Sequence, residues 1–132
     1  MPDLSTPSRI LVVDDAPVVR EALRWVIDDT PDLRVVGEAA EGLEAIVRTA
    51  ILEPDVVVLD IHLPGLDGYH VAREIKLMPN PPGVVFLTVD TAEEAQQRGT
   101  EVGADAFVLK AQGWEVLLTK IRAVLSARTK HT

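Results

Sequence analysis

The chain has 132 residues, with 13 Lys and Arg against 21 Asp and Glu, a formal charge of −8. That length suits one domain, and an apolar fraction of 47% supplies a sizeable core and excludes intrinsic disorder. The absence of cysteine removes disulfide scaffolds, zinc knuckles, iron–sulfur clusters and thiol nucleophiles, and the acidic balance argues against a nucleic-acid partner for this chain.

Met1–Ser8 is polar, carries two prolines and lacks the apolar centre of a signal peptide. Ile10–Val13 is then a short apolar run of the kind that forms a strand buried on both faces. Val18, Val19, Ala22, Leu23, Val26 and Ile27 follow with helical spacing. Arg34–Val36 is a weaker strand, and Leu43, Ile46, Val47, Ala50 and Ile51 form a second helical stripe. Val56–Leu59 is the third strand, and Gly68–Lys76 a short helix with Val71, Ala72 and Ile75 inward. Val84–Leu87 is the fourth strand. Thr91–Val102 is the most polar helix, with Thr91 as its N-cap and Glu93 and Glu94 in the first turn. Ala106–Leu109 is the fifth strand, and Trp114, Leu117, Leu118, Ile121, Val124 and Leu125 mark the last helix.

Strand and helix alternate five times, joined by turns such as Thr30-Pro31-Asp32, Glu53-Pro54-Asp55, Asn80-Pro81-Pro82-Gly83 and Gly103. That order predicts an α/β fold: a parallel sheet with right-handed crossovers and helices on both faces. Residues 1–8 read as a flexible N-terminus, 9–126 as the domain, and 127–132 as a tail or the start of a linker. No apolar run reaches the roughly 18 residues that span a membrane, so the expectation is a cytoplasmic chain without membrane contact.

Ligands of open parallel sheets bind at the carboxyl ends of the strands. The first strand ends in Asp14-Asp15, the third in Asp60, the fourth in Thr88 and the fifth in Lys110. Converging carboxylates repel unless a cation lies between them, and oxygen-only ligands select a hard cation, Mg²⁺ by default. A metal beside a free carboxylate, a hydroxyl and an ammonium is a constellation for phosphoryl transfer, with the carboxylate as nucleophile. Singly, each residue also has an ordinary reading: Asp14 and Asp15 as a helix start, Asp60 as a loop cap, Thr88 as structural, Lys110 as solvated. The joint placement at the ends of four strands separates the two readings.

Val12-Val13-Asp14-Asp15, Leu59-Asp60-Ile61-His62-Leu63-Pro64-Gly65-Leu66-Asp67-Gly68, Thr88 and Gly103-Ala104-Asp105-Ala106-Phe107-Val108-Leu109-Lys110 resemble the receiver domain of two-component response regulators, the chemotaxis-regulator type. Thr88 and Lys110 stand 28 and 50 residues after Asp60, as that family spaces them, and the likeness covers about residues 9–126. It implies a flavodoxin-like (βα)5 three-layer sandwich with a five-stranded sheet in the order 2-1-3-4-5. It also implies Asp60 as the phospho-acceptor and Mg²⁺ held by Asp15, Asp60 and the backbone carbonyl of His62, with Asp14 acting through a metal-bound water. Lys110 would contact the phosphoryl oxygens. Thr88 would move to the phosphoryl group, and Phe107 would be the aromatic switch whose rotamer follows Thr88. The implied partner is a sensor histidine kinase or a histidine phosphotransfer protein, and no external substrate is turned over.

Some positions depart from that pattern. Lys110 is followed by Ala111, where many receivers have Pro, so a cis bond costing about 2.5–4 kcal/mol is not expected there. Val89 stands where Ala or Gly is usual and would narrow access to the phosphoryl group. His62 and Asp90 occupy positions that set dephosphorylation rate in the family, either paired across the mouth or separately solvated. Leu63 and Leu66 replace Met at near-constant volume. The fourth helix, fifth strand and fifth helix form the implied output face. There Glu93, Glu94, Gln96, Gln97, Arg98 and Glu101 face Lys120 and Arg122, a candidate homodimer contact or a solvated face. Trp25, off the stripe of its helix, is a candidate kinase contact or a packing residue. His62, His70 and His131 lack metal-ligand spacing.

Three rival functions come from other classes. A haloacid-dehalogenase-like phosphatase needs a second Asp two residues after the first, where His62 stands. A non-phosphorylated pseudo-receiver has no use for Asp14, Asp15, Asp60, Thr88 and Lys110 together. A nucleotide or flavin site lacks a Gly-rich cradle after the first strand. Pro31–Ala39 resembles the same stretch of receivers attached to helix-turn-helix domains.

Overall fold

The computed structural model describes residues 6–129. The elements in chain order are β1 (Ser8–Val13), α1 (Pro17–Asp28), β2 (Leu33–Ala39), α2 (Gly42–Leu52), β3 (Val56–Leu59), α3 (Gly68–Lys76), β4 (Gly83–Thr88), α4 (Glu93–Glu101), β5 (Ala106–Leu109), a 3-10 turn (Lys110–Gln112) and α5 (Trp114–Thr129). The five strands are parallel and lie in the order β2-β1-β3-β4-β5. The fold is the flavodoxin-like sandwich. Ser8 already pairs with Leu33, and α5 continues three residues beyond 126; His131 lies outside the described residues.

Alternation along each strand divides the core into two layers. Leu11, Val13, Val57, Leu59, Val84 and Phe86 pack with Ala45, Val71, Ala72, Ile75 and Ala95 of α2, α3 and α4. Ile10, Val12, Val56, Val58, Val85, Leu87 and Val108 pack with Leu23, Ile27, Leu117, Ile121 and Val124 of α1 and α5. Both faces of β1, β3 and β4 are thus covered, which is why these strands read as unbroken apolar runs. Each Val, Ile or Leu removed from water here is worth about 1.5–3 kcal/mol.

Three helical expectations are corrected. On α1 the buried line is Leu23 and Ile27 with Val19 against the core, while Val18, roughly 100° further round, is exposed. On α2 the buried line is Gly42, Ala45 and Thr49, with Ile46 against the core; of the stripe read as inward, Leu43, Val47, Ala50 and Ile51 face solvent. Apolar residues stand on both sides of this helix, and its small residues mark the side that approaches the sheet closely. α4 begins at Glu93 with Ala92 at its N-cap and no side-chain cap. Asp90 Oδ1 accepts from the Ala92 N–H at 3.0 Å, and this local turn displaces Thr91 from the capping position.

Candidate functional site

The site is built on the turns that end β1, β3, β4 and β5. After β1, Asp14 Oδ1 accepts from the Ala16 N–H at 3.0 Å and Pro17 opens α1, so the Asp14-Asp15 turn is tied to the helix start. Asp14 is buried, whereas Asp15 is exposed. Arg20, one turn into α1, donates to the Asp14 carbonyl at 2.7 Å and to Glu38 at 3.2 Å. Arg24 also pairs with Glu38. After β3, the buried Asp60 is followed by a loop that returns to α3, where Asp67 caps the helix by accepting from His70 N–H at 3.0 Å. Gly68 N–H donates to Ile61 O at 2.7 Å, and a Cβ at position 68 would collide with the Asp60 carbonyl oxygen. The Asp-Gly pair therefore lets the loop close tightly behind the acceptor carboxylate.

Carboxylate oxygens of Asp14, Asp15 and Asp60 lie within 4.8 Å of one another. Lys110 Nζ reaches Asp14 Oδ2 at 2.8 Å and Asp60 Oδ2 at 3.2 Å. The His62 N–H donates to Asp60 Oδ1 at 3.4 Å. Burial pushes the Asp60 carboxyl above the usual range and the charge of Asp14 adds to this; Lys110 and the His62 N–H oppose it. Burial alone would lower Lys110, but its bond to Asp14 and the charge of Asp60 outweigh that and raise it. Thr88 is fully buried and its Oγ1 accepts from the Asp90 N–H at 3.2 Å. All backbone peptides among the described residues are trans, Lys110–Ala111 included.

At the mouth, His62 Nε2 lies 3.5 Å from Asp90 Oδ2, so the two side chains meet rather than stand apart. Val89 is exposed beside them. Phe107, half-buried on β5, lies 6.3 Å from Phe86, its register partner on β4, and Phe86 lies 5.7 Å from Tyr69 edge to face. Arg98 of α4 sits 4.1 Å above the Tyr69 ring, and the Tyr69 hydroxyl donates to Ala95 O at 3.3 Å. Sequence reading missed Tyr69, Arg20 and Glu38, and read Arg98 as part of the output face rather than as a partner of Tyr69. A signal existed for the first: Phe86, Phe107 and Tyr69 are three of only five aromatic residues in the chain.

The donor set fits a hard divalent cation: three carboxylates, oxygen ligands alone, one of them open to water. Asp14, Asp15 and Asp60 are the residues that would hold it. No helix among the described residues is long and apolar enough to cross a membrane.

A family model, the response regulator receiver domain, matches residues 10–122. A protein-glutamate methylesterase/protein-glutamine glutaminase of Symbiobacterium thermophilum is 41% identical over 109 residues, 81% of this chain and 30% of that protein. The nitrate/nitrite response regulator protein NarL of Escherichia coli is 33% identical over 112 residues, 85% of this chain and 52% of that one. The chain thus spans about a third to a half of these relatives' length. Among solved structures, the response regulator domain of Thermotoga maritima CheB superposes with a TM-score of 0.86 at 34% identity, covering 91% of this chain and 97% of that one. A LuxR-family two-component response regulator from Aurantimonas gives 0.88 at 33% identity, covering 93% and 88%.

Proposed function

The chain belongs to the response regulator receiver domain family, and we propose that it takes a phosphoryl group from a phosphohistidine partner onto Asp60. The observation that carries this reading is the convergence of Asp14, Asp15 and Asp60 around a single ammonium, Lys110, at the carboxyl edge of the sheet. A lone pair of an Asp60 oxygen attacks phosphorus in line. The P–N bond breaks and its electron pair stays on the imidazole nitrogen. Asp15, Asp60 and the His62 carbonyl, with Asp14 through a water, would hold Mg²⁺, which when bound would supply positive charge against the transferring oxygens. Lys110, already beside Asp60, pairs with a phosphoryl oxygen. Thr88 exchanges its bond with Asp90 for one to the phosphoryl group, and Phe107 follows inward, shifting a pre-existing equilibrium of the α4 edge. Hydrolysis of the acyl phosphate resets the domain, and the chain turns over no external substrate.

The partner contact is assigned to α1, the helix that follows the acidic turn and carries the exposed Trp25. The output contact, with a second copy as the candidate occupant, is assigned to α4, β5 and α5. There Gln96, Thr100 and Lys120 line a groove of about 380 Å³ beside Phe107. The location expected for such a chain is the cytoplasm.

Incubation with an acyl-phosphate or phosphoramidate donor and Mg²⁺ is expected to add one phosphoryl group, read by intact mass, and Asp60→Asn to stay unlabelled. Equal labelling of the Asn variant overturns the assignment, and no labelling of either protein is the pseudo-receiver outcome. Followed in time, Val89→Ala is expected to lose the label faster than wild type. An unchanged half-life removes Val89 as a barrier to water.

A further inference from the structure

The exposed stripe on α2 is independent of the acidic site. Leu43, Val47 and Ile51 are 60%, 48% and 73% exposed and follow one another at intervals of four residues. They form a continuous aliphatic ridge on the face opposite Ala45. α2 packs on β2 and α3, and β2 is the edge strand, so the outer flank of this helix is unobstructed by the sheet. Glu44 and Arg48 border one side of the ridge, 3.5 Å apart, and Ala50 borders the other.

We propose that this ridge is a self-association surface, with α2 of a second copy packed antiparallel across a two-fold axis at Val47. The pattern is self-complementary about that axis. Leu43 meets Ile51 of the second copy, and Val47 meets Val47. A two-fold perpendicular to the helices brings like flanks together, so the Glu44–Arg48 flank of one copy faces that of the other. Arg48 lies about 1.5 Å beyond the axis and Glu44 of the other copy about 4.5 Å beyond it on the same side, taking 1.5 Å rise per residue. An offset of roughly 3 Å is within reach of an arginine and makes two symmetric ion pairs. The small Ala50 lets the helices approach on the opposite flank. The ridge covers less than the roughly 800 Å² per partner of standard interfaces, so the dimer is reversible and concentration-dependent. It needs no phosphoryl group, unlike any contact of α4, β5 and α5 that follows the switch.

The test is sedimentation velocity of the unphosphorylated full chain from about 10 µM to 1 mM, a range that brackets weak association. Wild type is expected to dimerise with rising concentration. Val47→Glu and Arg48→Glu should each weaken this about tenfold or more while circular dichroism and melting stay near wild type, because both positions are solvent-facing. Glu44→Arg alone should also fail to dimerise. An equimolar mixture of Arg48→Glu and Glu44→Arg should recover a heterodimer, since every facing pair is then of opposite charge. A wild type that stays monomeric overturns the proposal, as does a dimer indifferent to these changes or a mixture that does not recover.

Discussion

The two ends of the sheet are both crowded with charge, yet only one of them looks like a site. At the amino end, Asp55 accepts from the Arg9 N–H at 2.8 Å, and Asp105 accepts from the Val84 N–H at 2.8 Å and Lys76 Nζ at 2.6 Å. Arg9 donates to the carbonyls of Leu52 and Glu53, Lys76 to Pro82 O at 2.9 Å, and Arg128 to Pro81 O. There each charge closes a turn of the chain. At the carboxyl end, Asp14 and Asp60 share Lys110, and Asp15 stands within 4.8 Å of both with no ion pair of its own among those of the described residues. Charge density therefore does not distinguish a site. A fold that holds like charges together, two of them buried, carries a cost that an additional cation removes.

The two lysines put that contrast to its strongest test. Lys110→Met leaves the buried Asp14 and Asp60 facing one another and is expected to cost about 2 kcal/mol, less than the roughly 3–5 kcal/mol of a fully buried pair because Lys110 is partly exposed. Saturating Mg²⁺ should narrow the gap to wild type, because a cation between the carboxylates replaces the lost ammonium charge and binds the folded variant more tightly than it binds wild type. Lys76→Met removes a bond to Pro82 O and one to the more exposed Asp105, and should cost about 0.5–1 kcal/mol. Mg²⁺ binds the intact carboxylate site of Lys76→Met as it binds that of wild type, so it should raise both and leave the gap between them. Thermal melts of both variants and wild type with and without Mg²⁺ read the two gaps, and a Lys110→Met gap that Mg²⁺ leaves unchanged would sink the comparison.

Neutralising one aspartate at each end should give effects of opposite sign. The Asp60 carboxyl is raised by burial and by Asp14, so the fold prefers it protonated. That preference stabilises below the ordinary carboxylate range and is lost as pH rises through the raised value. At neutral pH the ionised group opposes folding, and Asp60→Asn is expected to stabilise by about 1 kcal/mol, roughly 3–5 °C in Tm for this size. Asp105→Asn weakens the acceptor of both Val84 N–H and Lys76 and should destabilise by about 1 kcal/mol. A fall in Tm for Asp60→Asn at neutral pH would contradict the surplus at the carboxyl end.

What was legible in the sequence follows from the same physics. Strands buried on both faces have no polar side, so β1, β3 and β4 stand out as unbroken apolar runs. The residue that ends each strand is set by position alone, so Asp14, Asp15, Asp60, Thr88 and Lys110 could be placed at one edge before any coordinates. The α2 stripe was misread because apolar residues stand on both sides of that helix, and periodicity cannot tell which side a nearby sheet will cover. The Thr91 cap was misread because Asp90 competes for the same backbone with its own turn. The roles of Arg20, Glu38, Tyr69 and Arg98 were not legible because each acts by reaching across to another element, and local spacing does not record such reach.

The smallest effect is expected where a pair is open to water. Arg122 Nη2 of α5 lies 3.0 Å from Asp32 Oδ1, before β2, with both side chains well exposed. The hydrogen bond from Arg122 holds the Asp32 carboxyl below its ordinary range. A lowered carboxylate contributes stability above the unfolded pKa of about 3.9 and loses it as pH falls through the folded value. Arg122→Gln should therefore cost a few tenths of a kcal/mol at neutral pH, and nothing once both forms are protonated. The contribution should also vanish near 1 M salt, where the screening length is about 3 Å. The Lys110→Met cost should persist under the same salt, because Asp14 and Asp60 are shielded from it by burial. Chemical denaturation of both variants in urea at low and high salt, without Mg²⁺, reads the difference. Equal salt sensitivity would mean that the carboxyl-edge charges are screened like the surface pair, and the case for a cation-requiring surplus there would fail.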